Sequence, residues 1–83
     1  MAFTYVLRST TSGRFYIGSA LKLQERLDEH ARGHSPYTRG RGPWKLVYQE
    51  QYSTLAEARR RERQLKSWKS HRSIQELIDK KLV

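Results

Sequence analysis

The spacing of apolar residues changes period three times along this chain, and few folds accommodate that order. Phe3, Tyr5 and Leu7 alternate with Thr4, Val6 and Arg8, which is a strand period. Thr11-Ser12-Gly13 supplies turn chemistry, and Arg14 to Ser19 returns as a second strand, so the two predict a hairpin. From Leu21 to Arg32 the period lengthens: Leu23, Leu27 and Ala31 recur every four residues, a helical stripe, with Gly33 as its stop. Residues 33–43 are rich in glycine and read as a loop. Trp44 to Gln51 alternates again. Thr54-Leu55-Ala56-Glu57 fits a capping box and opens a helix to about Trp68. Ser73-Ile74-Gln75-Glu76 fits another, with Ile74, Leu77 and Ile78 on one face. The order strand, strand, helix, strand, helix, helix predicts an α+β fold, a three-stranded antiparallel sheet flanked by helices.

Composition narrows the class. Eighty-three residues support one small domain, residues 1–83, with little core to spare. The absence of cysteine excludes a disulfide framework and a thiolate zinc site. No apolar run has the length of a signal sequence or a membrane helix, so the expected location is the cytoplasm. Lys and Arg number 17 against 8 Asp and Glu, a formal net charge of +9. Such a surface favours a polyanion, above all nucleic acid, as partner. The apolar residues are accounted for by one core, which favours a monomer.

Glu62 is the hardest residue to explain by packing. Leu55, Ala58, Leu65 and Trp68 make the apolar stripe of the helix after Thr54, and Glu62 falls within it. A carboxylate on the buried side of a helix costs free energy unless it is paired or binds a cation. A salt bridge to Arg26 is one solution, and a metal ligand suited to Mg²⁺ is the other. Arg26 and His30 lie four apart, on one face of the first helix, where they suit a phosphate clamp and proton transfer. As ordinary rim residues they need only a pairing of Arg26 with Glu29. Tyr5 and Tyr16 fall on adjacent strands, and strand tyrosines commonly pack. Gly18, two residues after Tyr16, removes a side chain beside the phenol and permits close approach of backbone or ligand. Arg59, Arg60 and Arg63, with Lys66 and Lys69 after them, make either a basic face for phosphates or an ordinary solvated helix surface, and Arg39 and Arg41 of the loop could clamp a strand. Trp44 and Trp68 are expected in the core.

These residues together resemble the GIY-YIG nuclease superfamily, above all its small stand-alone bacterial members of the UPF0213-like type. The matching pieces are Phe3-Thr4-Tyr5-Val6-Leu7, Tyr16-Ile17-Gly18, Leu23 to His30, Tyr37-Thr38, Trp44 to Tyr48, and Arg61 to Lys66. The resemblance spans roughly residues 3–79. It implies an active site of Tyr5, Tyr16, Arg26, His30 and Glu62, with a single Mg²⁺ or Mn²⁺ ion on Glu62. It further implies that Tyr16 helps deprotonate the attacking water, that Arg26 stabilises the pentacovalent phosphate, and that the products are a 5′-phosphate and a 3′-hydroxyl. Many relatives carry an Asn after the Glu helix, and this chain has none; either Ser70, Ser73 or Gln75 replaces its hydrogen bonds or the role is lost. The expectation is a metal-dependent endonuclease acting on DNA, with RNA left open, selective for single-stranded, flap or branched substrates. The alternative is a non-catalytic or partner-dependent nucleic-acid-binding module.

Overall fold

The computed structural model describes residues 1–32 and 42–82, with side chains to residue 80. The loop residues Tyr37, Arg39 and Arg41 lie outside the described residues. The elements are β1 (Ala2–Ser9), β2 (Phe15–Ala20), α1 (Leu23–Ala31), β3 (Trp44–Tyr52), α2 (Leu55–Ser67) and α3 (His71–Leu82). This is the expected α+β order, with every boundary within two residues except the start of α3.

The sheet is antiparallel throughout, in the order β2-β1-β3. The hairpin register pairs Tyr5 with Gly18 and Leu7 with Tyr16. Its turn is tied by Ser9, whose hydroxyl accepts from Ser12 N at 3.1 Å, and by Gly13, whose φ of 77° is the left-handed conformation that glycine tolerates. Against β3 the register shifts between Val6 and Leu7, which leaves Val47 as the extra residue of a bulge.

β1 is the middle strand, and it is buried on both faces. Thr4 and Val6 (both 0% exposed) point one way, Tyr5 and Leu7 (both 1%) the other. The alternation in its sequence therefore does not separate core from solvent. It separates two layers of helix. On the Thr4 face lie α2 and α3, where Val6, Ile17 and Tyr48 meet Leu65, Ile74 and Ile78. The Thr4 hydroxyl donates to the Ala58 carbonyl at 2.7 Å, fixing α2 against the strand. On the Tyr5 face lies α1.

Three local expectations change. In α1 the buried residue is His30, while Ala31 is exposed. The stripe runs Leu23, Leu27, His30, the i, i+4, i+7 spacing that a 3.6-residue turn holds on one side better than i, i+4, i+8. In α2 the Thr54 cap forms as predicted, accepting from Glu57 N at 3.2 Å, but Trp68 emerges 36% exposed at the helix end. It packs beneath Arg61, whose guanidinium lies 5.6 Å from the ring centroid. In α3 the cap is Ser70, which accepts from Ser73 N at 3.2 Å, so the helix begins three residues earlier than the Ser73 box suggested. Ser and Glu in that spacing also occur inside helices, and only the backbone distinguishes the two.

Candidate active site

The register of the hairpin dictates the centre of the site. Tyr5 faces Gly18 directly across the strand pair, and the glycine leaves the space that the Tyr5 phenol fills. A Cβ at residue 18 would stand 2.5 Å from the Tyr5 hydroxyl, 2.7 Å from its Cζ and 3.2 Å from Tyr16 Cε1. Gly18 therefore makes room chiefly for Tyr5; sequence spacing alone pointed to Tyr16. From α1, His30 closes over the pair. Its Nε2 hydrogen-bonds the Tyr5 hydroxyl at 3.0 Å, and its ring meets Tyr16 edge-on at 4.9 Å between centroids. The ring centroids of Tyr5 and Tyr16 lie 6.4 Å apart, and the ring of Trp44 of β3 meets Tyr16 edge-on at 6.4 Å between centroids.

Electrostatics separates the two phenols. Burial, then the nearby Tyr16, pushes the Tyr5 hydroxyl well above the ordinary tyrosine range, so Tyr5 keeps its proton. Burial, then the Arg26 guanidinium, holds His30 below its usual value, so the imidazole is neutral near pH 7. Tyr16 is only half-buried and borders an open groove. Arg26 lies close enough to Tyr5 and Tyr16 for both to act on it, and its Nη1 donates to Glu29 at 2.9 Å. That pair is about half exposed at each partner, so it holds Arg26 only weakly.

Glu62 approaches from the opposite face of the sheet. Ser19 of β2 donates to its Oε1 at 2.5 Å, and Lys66 Nζ donates to Oε2 at 2.6 Å. The carboxylate side chain is 21% exposed at the open edge of β2, and its charge is among the causes that raise the Tyr5 phenol. The salt bridge to Arg26, the alternative to a metal-ligand role, does not form; Lys66, one turn on, pairs with Glu62 instead. The five residues thus gather around one stretch of β2, four on the Tyr5 face and Glu62 past the strand edge. Ser19 is a contributor that sequence reasoning missed. Its position near the end of the second hairpin strand was legible, but its reach to residue 62 was not.

Among the described residues no group of three or more His, Cys, Asp and Glu could hold a metal. Glu62 is the single carboxylate available, and a cation already sits on its Oε2. A hard ion that keeps most of its waters suits such a donor set. The basic residues divide. Arg59, Arg63 and Lys66 flank Glu62 on exposed positions of α2, whereas Arg60, two residues before it, projects from the far side of the helix. Arg61 is structural: its Nε and Nη2 reach Glu50 at 3.0 and 3.2 Å. Glu50 also accepts from the Tyr48 and Tyr52 hydroxyls, and although burial opposes it, these bonds hold the carboxyl below its usual range. Among the suggested replacements for the missing Asn, Ser70 is engaged in capping α3 and Gln75 in a 2.9 Å bond to Asp79.

No helix among the described residues is long and apolar enough to cross a membrane. Comparison with known proteins is decisive about ancestry. The chain is 36% identical over 73 residues to UPF0213 proteins from several strains of Staphylococcus aureus, covering 87% of this chain and 88% of theirs. The solution structure of a UPF0213 protein from Bacillus halodurans superposes with a TM-score of 0.58 at 33% identity, over 95% of this chain and 84% of that one. The model of the GIY-YIG catalytic domain matches residues 1–75. With that match across the fold and the tyrosine hairpin, the chain belongs to the GIY-YIG catalytic domain family, whose members are nucleases acting on nucleic acid.

Proposed function

We propose that this chain is a divalent-metal-dependent endonuclease that hydrolyses phosphodiester bonds in DNA, with residues 1–83 forming one catalytic unit. The observation that carries this reading is the convergence of Tyr5, Tyr16, Arg26 and His30 on one side of β2 and Glu62 at its edge. Nothing about packing requires an acid, a guanidinium and a neutral imidazole around two phenols.

The roles follow from the environments. Tyr5 is buried and keeps its proton, so it serves as a fixed partner that orients His30. Tyr16, half-buried at the groove, is the residue placed to take a proton from an attacking water, which it does as the phenolate once its own proton has passed to solvent. The water oxygen attacks phosphorus, the bond to the 3′ oxygen breaks as that oxygen takes up a proton from solvent water, and the products are a 5′-phosphate and a 3′-hydroxyl. Arg26 turns from Glu29 to the phosphate as charge builds there, where a guanidinium is worth more than on the surface. His30, neutral and beside Tyr16, can donate or accept a hydrogen bond without adding a charge. A Mg²⁺ or Mn²⁺ ion held by Glu62 would supply Lewis-acid stabilisation of the developing phosphoryl charge. Ser19 holds the Oε1 side of that carboxylate, and Lys66 is free to pass from Oε2 to a phosphate oxygen.

The test is cleavage of end-labelled single-stranded, duplex, flap and junction DNA in Mg²⁺ or Mn²⁺, with Glu62→Gln beside the parent. The expected result is cutting by the parent only, with branched or single-stranded substrates preferred and binding retained in the variant. Equal cutting by Glu62→Gln sinks the assignment of Glu62. Binding without cutting on every substrate favours the alternative, a binding module that needs a partner for turnover or has lost it, for which the missing Asn speaks.

A further inference from the structure

A second feature adjoins the cluster and shares Tyr16 and Lys66 with it. A groove of about 570 Å³ runs along the open edge of β2, between that strand and the junction of α2 with α3. Arg14 and Tyr16 line it from the strand side, and Lys66, Lys69 and His71 from the helix side. We propose that this groove binds an unpaired nucleotide adjoining the scissile phosphodiester, its phosphate between Arg14 and Lys69 and its base on the exposed ring of His71. The proposal rests on the nuclease reading above and adds to it a substrate subsite.

Four observations carry it. The groove is continuous with the reaction centre, because Tyr16 belongs to both. Its volume lies in the range of small-molecule sites, which accommodates one nucleotide. Arg14 and Lys69 are exposed and have no acidic partner among the described residues, so their charge is available to an anion. Lys69, with φ at 49°, is the single non-glycine residue of positive φ among those described. Glycine is the ordinary occupant of that position past a helix end, and a lysine there holds a backbone conformation that residues with side chains seldom adopt. His71 stacks on Phe15 at 4.4 Å and 16°, which fixes one face of the imidazole and leaves an oriented platform in an exposed residue. A base in a duplex is already stacked on both sides, whereas an unpaired base can settle on such a ring.

The experiment is binding by fluorescence anisotropy in EDTA, with a labelled oligothymidylate and with its duplex on oligoadenylate, each titrated with salt. Four variants are compared: Lys69→Gly, Arg14→Gln, His71→Ala and, as a charge-matched control, Lys80→Gln. Lys80 lines other recesses, with Glu76 and Leu77. Lys69→Gly and Arg14→Gln should each weaken single-strand binding and lower the salt slope by about 0.7 for each phosphate that is no longer neutralised. His71→Ala should weaken single-strand binding roughly 5- to 100-fold and duplex binding far less. Lys69→Gly should at the same time melt at a higher temperature, so its binding loss cannot come from unfolding. If Lys69→Gly and Arg14→Gln bind as Lys80→Gln does, or His71→Ala weakens both substrates alike, the groove is not the subsite, and the nuclease reading stands. If the parent binds neither substrate yet still cuts DNA in Mg²⁺, the groove proposal falls and the nuclease reading stands; if it neither binds nor cuts, both fall.

Discussion

Replacing Gly18 by Ala tests the geometry at the centre of the site with a single methyl group. The added Cβ would stand 2.5 Å from the Tyr5 hydroxyl and 2.7 Å from its Cζ, whereas ordinary contact begins at 3.4 Å. Tyr5 cannot swing aside freely: it is 1% exposed and bonded to His30 at 3.0 Å. Overpacking of a buried site costs about 1–3 kcal/mol. Set against this, alanine in a strand interior is favoured over glycine by about 0.5–1 kcal/mol. The net expectation is a loss of about 1–2 kcal/mol, read by urea denaturation as a lower midpoint at unchanged slope. In a domain of this size each kcal/mol lowers Tm by about 4–8 °C. The ring must also recede by about 1 Å, a displacement that in active sites can cost on the order of a hundredfold in rate. Tyr5→Phe removes the nearest atom, so in its background Gly18→Ala should be milder by at least about 0.5 kcal/mol. A Gly18→Ala protein more stable than the parent by the ordinary alanine increment, with no coupling to Tyr5→Phe, would refute the reasoning.

Other perturbations follow from the same geometry. Thr4→Val keeps the shape but deletes the donor to the Ala58 carbonyl, and should cost about 1 kcal/mol by urea denaturation; an unchanged midpoint would mean that the bond contributes nothing. His30, depressed by burial and by Arg26 and opposed by Glu29, should titrate by NMR with a midpoint below about 6.5, and a midpoint above that value would contradict the buried setting. Because the unfolded chain then binds the proton more readily, the His30 contribution is complete above about pH 6.5 and is lost as pH falls through the folded value. Stability measured in urea should therefore fall between about pH 7.5 and about pH 5.5 by more in the parent than in His30→Gln. Lys66→Gln removes a partly exposed i, i+4 pair, and should change stability by no more than about 0.5 kcal/mol, measured by thermal melting.

Much of this was legible in the sequence, and the exceptions have physical causes. The hairpin and the bulk of each helix follow from period and spacing, whereas the grouping of Tyr5, Tyr16, Arg26, His30 and Glu62 into one site is what the family resemblance implies. The location of burial in α1 did not, because one step of i+4 against i+3 decides whether His30 or Ala31 faces the sheet, and an imidazole does not advertise itself as apolar. Trp68 was expected in the core from its spacing, but a stripe says nothing about where the sheet ends beneath it. The partner of Glu62 was equally hidden. Lys66 lies one turn away and competes successfully with Arg26, which has Glu29 nearer to hand. The role of Gly18 required the cross-strand register, which pairs it with Tyr5, eleven residues before Tyr16.

Among the described residues no strand pairs with the outer edge of β2, and Glu62 stands at that edge. α2 lies obliquely enough that Ala58 and Leu65 are fully buried over the strands while Glu62, between them, meets Ser19 at the rim of β2. The carboxylate in an apolar stripe is thus a carboxylate where the stripe overhangs the edge, and burial there is only partial. A further strand paired on β2 would cover that rim and separate Glu62 from Tyr16 and Arg26. Unpaired edges invite aggregation, and charge is the usual defence. Here Arg14 at the start of β2, with Lys66 and Lys69 across the groove, provides that charge. On the proposed reading the same cations attract the backbone that must bend around the edge to touch both faces at once. A strand free to bend passes that edge more readily than a stiff duplex, which on the proposed reading is the physical reason to expect selectivity for unpaired or branched DNA.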